Sequence, residues 1–282
     1  MPLLDREECI EQAYFFRVLR ERLAEGNATQ SILKGIDQEI LSTTRLPLAI
    51  QFLEGELKHT GLLSSGFAKL SHYFTPFQAF VLQGTEEERM RFDVTLGLLV
   101  LEREAQYRAS SPTPSGLFVY QFEAMCRNRL GYEAGLKAMQ GDPAYDDDWK
   151  GFLGDVRANV GLIDFAELIF LRSALFTSEK RRIDPEFQPA RPALFGEKEG
   201  KIARANLGKD PLYLFASLQR QLGYPEVPRP RARDEAAVGI EQMATKLRDL
   251  EARLRLLEAE QRGQLTLDKL LDPDKLKSAW DE

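Results

Sequence analysis

Residues 75–108 read TPFQAFVLQGTEEERMRFDVTLGLLVLEREAQYR, and this stretch decides the fold class. Thr75-Pro76-Phe77-Gln78 places proline at a first helical position, where its missing N–H costs nothing. Thr85 and Glu88 then stand at capping-box spacing, one side chain able to accept from an orphan backbone N–H while the other reaches back. Met90, Val94, Leu98, Leu101 and Ala105 follow at intervals of three and four, one face of a long helix over 86–108.

The same punctuation recurs outward in both directions. Asp5 with Glu8, Asn27 with Gln30 and Asp164 with Glu167 repeat the spacing ahead of apolar runs. These signals predict an all-α chain: a multi-helix bundle followed by a proline-rich connector and a C-terminal coiled-coil helix. Toward the N-terminus, a helix over 6–25 carries Ile10, Ala13, Phe16, Leu19 and Leu23 on one stripe, widened by Tyr14 and Phe15. A second over 28–42 shows Leu33, Ile36 and Ile40. A third begins at Pro47 with Ile50, Leu53 and Leu57, and Gly61 supplies its stop. A short helical piece over 67–73 precedes the helix over 76–82.

Toward the C-terminus, residues 110–115 (SSPTPS) form the first loop that cannot be helical. Periodicity resumes over 117–139. Gly141-Asp142-Pro143 breaks it, and Asp146, Asp147 and Asp148 favour the start of the next helix because carboxylates complement its positive end. Trp149, Phe152, Val156 and Val160 form its core face. Gly161 ends it and Asp164 caps a further helix to Phe176, apolar nearly all round and so expected at the centre of the bundle.

The expected division is a helical bundle over 1–183, a basic proline-rich connector over 184–233, a coiled-coil helix over 234–264 and an amphipathic tail over 265–282. The connector holds seven prolines between Pro185 and Pro230, yet Leu194, Phe195, Tyr213, Leu214 and Phe215 are too apolar for a free linker. It is expected to wrap onto the bundle through short helices at 197–205 and 211–222.

Composition bounds the function. The chain has 282 residues, 43% apolar and 29% charged, enough for a full hydrophobic core without staples. Its formal net charge of −6 argues against a protein built to coat nucleic acid. Residues 179–233 nevertheless carry +5, between acidic flanks of −7 and −4. This block is either complementary to the protein's own acidic parts or a patch for an acidic partner. Lys180, Arg181, Arg182 and the arginines at 229–233 would carry any polyanion binding. The N-terminus has acids where a signal peptide needs positive charge, and no apolar run approaches the ~20 residues that span a bilayer. A cytoplasmic location without a membrane span is the expectation. Cys9 and Cys126 are too few and too far apart for a disulfide framework or a zinc set.

The strongest local signal lies in 236–261. Ile240, Met243, Leu247, Leu250, Leu254 and Leu257 alternate spacings of three and four, a heptad seam with Ile240, Leu247 and Leu254 at position a. Lys246 and Arg253 occupy g, Glu251 and Glu258 occupy e. In a parallel pair each g residue meets the opposite charge at e of the other copy. An antiparallel pair brings like charges together. Each exposed pair is worth only about 0.5 kcal/mol, so the pattern sets direction more than strength. The helix either self-associates as a homodimer or folds back on its own bundle. Leu265, Leu267, Leu270, Leu271, Leu276 and Trp280 make the tail amphipathic, fit to dock in a groove or to cover the body.

Candidate chemistry is thin, and no catalytic residue, cofactor or metal ligand set is assigned. Glu56 and His59 have the Glu-x-x-His spacing of a carboxylate-bridged di-iron bundle, but His72 has Lys69 where the second glutamate belongs. Glu56, His59 and His72 are the residues around which a helical-bundle enzyme or small-ligand pocket would form. Gly196-Glu-Lys-Glu-Gly200-Lys201 is one residue short of a phosphate loop and lacks its Ser or Thr. Ser31-Ile-Leu-Lys34 lacks the partner motifs of serine enzymes of that signature. The functional expectation is a non-catalytic cytoplasmic scaffold or adaptor acting on an unknown protein partner.

Overall fold

Thr75 opens its helix with a complete capping box. Its hydroxyl accepts from the Gln78 backbone N–H at 3.3 Å, and Gln78 Oε1 accepts from the Thr75 N–H at 3.0 Å. The structure is a computed structural model describing residues 3–87 and 92–230. Among the described residues it forms thirteen α-helices and no strand. The first seven are α1 (Arg6–Ala24), α2 (Thr29–Ile36), α3 (Leu46–Thr60), α4 (Leu63–Lys69), α5 (Pro76–Glu86), α6 (Val94–Ala109) and α7 (Pro114–Asn128). The remainder are α8 (Tyr132–Gln140), α9 (Asp147–Asn159), α10 (Phe165–Leu171), α11 (Ala174–Ile183), α12 (Glu197–Ala205) and α13 (Pro211–Leu222). Replacing Thr75 by alanine removes one half of the box and is expected to cost about 1 kcal/mol in urea unfolding.

Several capping pairs do other work than their spacing implies. Asp5 makes no side-chain cap on α1, and Glu8 turns inward to bind other elements instead. Asn27 donates to Glu25, and α2 starts after Ala28 without a side-chain cap. Thr85 sits inside α5, bonded back to the Leu82 carbonyl at 2.7 Å. The long helix expected from 86 begins only at Val94, where Asp93 accepts from the N–H groups of Thr95 and Leu96. Residues 88–91, with Met90, lie outside the described residues. Asp146 and Asp164 do cap, accepting from Trp149 and Ala166.

α1 lies along α6 in the most extensive helix pairing; α2 and α3 pack on α1, α4 packs on α3 and α5, and α5 closes on α6. Ile10, placed on the α1 core stripe by its spacing, is exposed. The buried face runs instead through Cys9, Gln12, Ala13, Phe15, Phe16 and Leu19. The 28–42 helix ends early, at Ile36, although Ile40 is still buried. The helix read over 117–139 divides at Arg129, which takes a left-handed φ of +54°, and resumes as α8 after Gly131.

The centre of the body is α7 rather than the apolar segment at 165–171. Every residue from Gly116 to Met125 is buried, on all faces of the helix. α10 stops at Leu171, itself exposed, because Arg172 and Ser173 pair with the connector: Leu194 N–H donates to the Arg172 carbonyl and Ala174 N–H to the Phe195 carbonyl, each at 2.8 Å.

That pairing delivers Phe195 into an aromatic cluster around Phe118. Its ring centroid lies 5.3 to 6.1 Å from those of Phe122, Trp149, Phe152, Phe165 and Phe195. Phe122 stacks on Phe165 at 4.0 Å, and Phe215 of α13 closes the group. The short helices expected at 197–205 and 211–222 form with those bounds. α12 packs on α10, α11 and α13, and α13 packs on α7. Beyond Gly223, Tyr224 donates to Glu123 of α7 at 2.7 Å and Asn128 donates to the Pro228 carbonyl at 3.1 Å. Residues through 229 thus belong to one compact unit with the helices before them.

Candidate functional site

Polar residues concentrate on the face of α1 that meets the loop before α3, Tyr73 and α5. Glu8 accepts from Arg45 through both backbone N–H (2.9 Å) and Nε (3.2 Å), and from the Tyr73 hydroxyl at 2.6 Å. Glu11 accepts from the Leu41 N–H at 3.0 Å. One turn on, Gln12 Oε1 accepts from Gln78 Nε2 at 3.0 Å. Buried carboxylates that meet such donors tie loops to the helix; unpaired, each would destabilise the body.

The deepest charges belong to α6 and the loop after α8. Arg108, whose side chain is only 10% exposed, donates to Glu104 at 2.9 Å and forms a two-pronged pair with Asp142; both carboxylates are fully buried. Gln121 Nε2 donates to Glu104 at 2.6 Å, and the Tyr145 hydroxyl donates to Gln121 at 2.7 Å. Burial pushes the Glu104 carboxyl above the ordinary range, partly opposed by Arg108. Burial also disfavours the Arg108 charge, but Asp142 and Glu104 more than offset that and keep the guanidinium protonated. Arg108 Nε and Glu104 Oε2 have no protein partner, nor does Gln12 Nε2.

Gln12 and Arg108 line a cavity of about 350 Å³ between the start of α1 and the loop joining α6 to α7. Its walls are otherwise largely apolar, among them Leu4, Cys9, Leu117 and Pro143. Ser111, at its rim, holds a left-handed φ of +57°.

The residues singled out by motif lie elsewhere. Glu56 of α3 accepts from Ser65 at 2.9 Å and Lys69 at 2.5 Å, which hold its carboxyl below the ordinary range. His59 and His72 are both exposed. Among the described residues no group of three or more His, Cys, Asp or Glu is arranged to hold a metal ion. Cys9 is buried and Cys126 half-buried with the Tyr132 hydroxyl on its sulfur at 3.3 Å; burial pushes each thiol up to about 11. Residues 196–201 form the start of α12, and Ser31 is exposed on α2. Lys180, Arg181 and Arg182 stand together in the last turn of α11. The heptad residues Ile240 to Leu257 and the amphipathic tail lie outside the described residues.

The Arg108 node had a trace in the sequence. The α6 stripe Leu98, Leu101, Ala105 continues at the next interval to Arg108, so an arginine stands on a core face with Glu104 one turn before it. Asp142 shows no such trace, because only folding brings it 34 residues back.

No helix among the described residues is long and apolar enough to cross a membrane. Searches of family models, curated proteins and solved structures found no match to this chain.

Proposed function

We propose that this protein is a non-catalytic cytoplasmic scaffold or adaptor, built as a helical body that presents a C-terminal self-association helix and acts through protein–protein interaction. The observation that carries this reading is the heptad seam from Ile240 to Leu257 with opposite charges at g and e. An isolated helix with six large apolar residues on one stripe gains from hiding them, and complementary g–e charges favour a second copy in parallel register. The unit of function is then a homodimer that holds two bodies, and whatever protein each body binds, at one place.

Replacing both Leu250 and Leu254 by lysine would bury two charges from each copy in the seam of a dimer and should yield a folded monomer in sedimentation velocity. Unchanged circular dichroism of the body would accompany the loss of mass. An unchanged mass would remove the reading.

A further inference from the structure

We infer, resting on the adaptor reading for the class of partner, that the groove between α11 and residues 189–193 of the connector docks an extended acidic segment of another protein. One face of α11 forms the first wall, with Ala174, Thr177, Ser178, Arg181 and Arg182. Pro189 and Ala193 form the second. The walls are tied at both ends. The Ala174 N–H donates to the Phe195 carbonyl at 2.8 Å, and Arg181 Nε donates to the Phe187 carbonyl at 3.3 Å.

The shape suits a peptide backbone. Ala174, Thr177 and Ser178 give the first half of the helical wall nothing larger than threonine, so a main chain can approach closely. From Ala174 to Arg182 the face runs about 12 Å at the helical rise of ~1.5 Å per residue. Three or four residues of extended chain, at ~3.3 Å each, fill that length. No aromatic ring is among the lining residues, so the bases of a nucleic acid find nothing there to stack on.

Charge selects the side chains of that segment. No carboxylate lines the groove, and neither Arg181 nor Arg182 pairs with one among the described residues. Glu179 of the same helix pairs with Arg204 of α12, and Arg191 of the connector is taken by Asp155 of α9. Lys180, which does not line the groove, lies over the Phe176 ring at 5.6 Å. The bond to the Phe187 carbonyl fixes Arg181 through Nε and leaves its two terminal nitrogens, a fork preset for a carboxylate. Basic residues in a last turn answer the helix dipole by themselves. A walled groove beside two guanidiniums without a carboxylate is the added feature, and it calls for an anionic chain.

The test is fluorescence anisotropy of the full chain with a labelled octapeptide of alternating alanine and glutamate, its glutamine counterpart and a labelled thymidine pentamer. The glutamate peptide should saturate at one molecule per chain, with the glutamine form at least about tenfold weaker. Arg181→Gln together with Arg182→Gln should weaken the glutamate peptide by about tenfold or more. Lys198→Gln with Lys201→Gln, an equal change of charge at exposed positions of α12, should alter it by less than about twofold. Ala193→Phe, at an exposed position of the second wall, should abolish binding by filling the groove without changing charge. The chain carrying Leu250→Lys and Leu254→Lys should bind the peptide as the parent does, so a failed dimer and a failed groove are told apart. Absent saturation, equal binding of the glutamine form, tighter binding of the thymidine pentamer, equal losses in the arginine and lysine pairs, binding that survives Ala193→Phe, or binding lost with the seam leucines would each overturn the assignment.

Discussion

Arg108→Met is expected to destabilise the body by about 3–5 kcal/mol, because it strands two buried carboxylates that no other cation among the described residues pairs with. Glu104 and Asp142 are fully buried, and Gln121 and the Ala144 N–H satisfy only part of their oxygen valence. The loss should depend on pH in a definite direction. Burial already raises the Glu104 carboxyl above its unfolded value, and removing the guanidinium takes away the charge that opposes this. A raised carboxyl stabilises the fold below its unfolded pKa and loses that contribution as pH rises through its folded pKa. The deficit of Arg108→Met relative to the parent should therefore be largest at neutral pH and shrink in mild acid. Adding Glu104→Gln and Asp142→Asn should restore much of the stability at neutral pH, since the penalty arises from unpaired charge rather than lost volume. Urea unfolding followed by circular dichroism at two pH values reads both effects. A loss below 1 kcal/mol at neutral pH would mean the three groups are not buried together.

The second large effect is Phe118→Ala, expected to cost about 3–5 kcal/mol. Phe118 has no exposed surface and its ring neighbours five others, drawn from α7, α9, α10 and the connector. Removing it leaves a void that rigid aromatic neighbours cannot close by small rotations. Phe118→Leu keeps much of the volume and should lose markedly less. Because Phe195 is anchored on this ring, Phe118→Ala should also expose the segment between α11 and α12 to protease earlier than the rest of the body. Equal stability of the alanine and leucine variants would show that the cluster is loosely packed.

Helix class was readable from the chain because its signals are local. Thr75-Pro76, Asp146 and Asp164 cap helices through groups two or three residues away, and Gly61 ends α3 in a left-handed conformation as its position predicts. The connector helices at 197–205 and 211–222 were legible for the same reason. What failed depends on partners distant in sequence. Glu8 abandons its cap because Arg45 and Tyr73 offer more in the core. α10 stops because Leu194 and Phe195 compete for the backbone groups of Arg172 and Ala174. The break at Arg129 carries no proline or glycine at the kink itself, so periodicity alone reads straight through it. The cavity was invisible because it joins residues from the segment before α1, from α1, α6 and α7, and from the loops between helices. Its polar members Gln12 and Arg108 match no motif, whereas Glu56 and His59 match half of one, yet Glu56 binds Ser65 and Lys69 and His59 is exposed.

Self-association through residues 236–261 is tested most directly by sedimentation equilibrium of the unaltered chain at micromolar concentration. A parallel two-stranded pairing predicts a species of twice the 32.1 kDa chain mass that dissociates on dilution. A concentration-independent mass of 32.1 kDa would contradict it, leaving the leucines of the seam to be covered within a single chain.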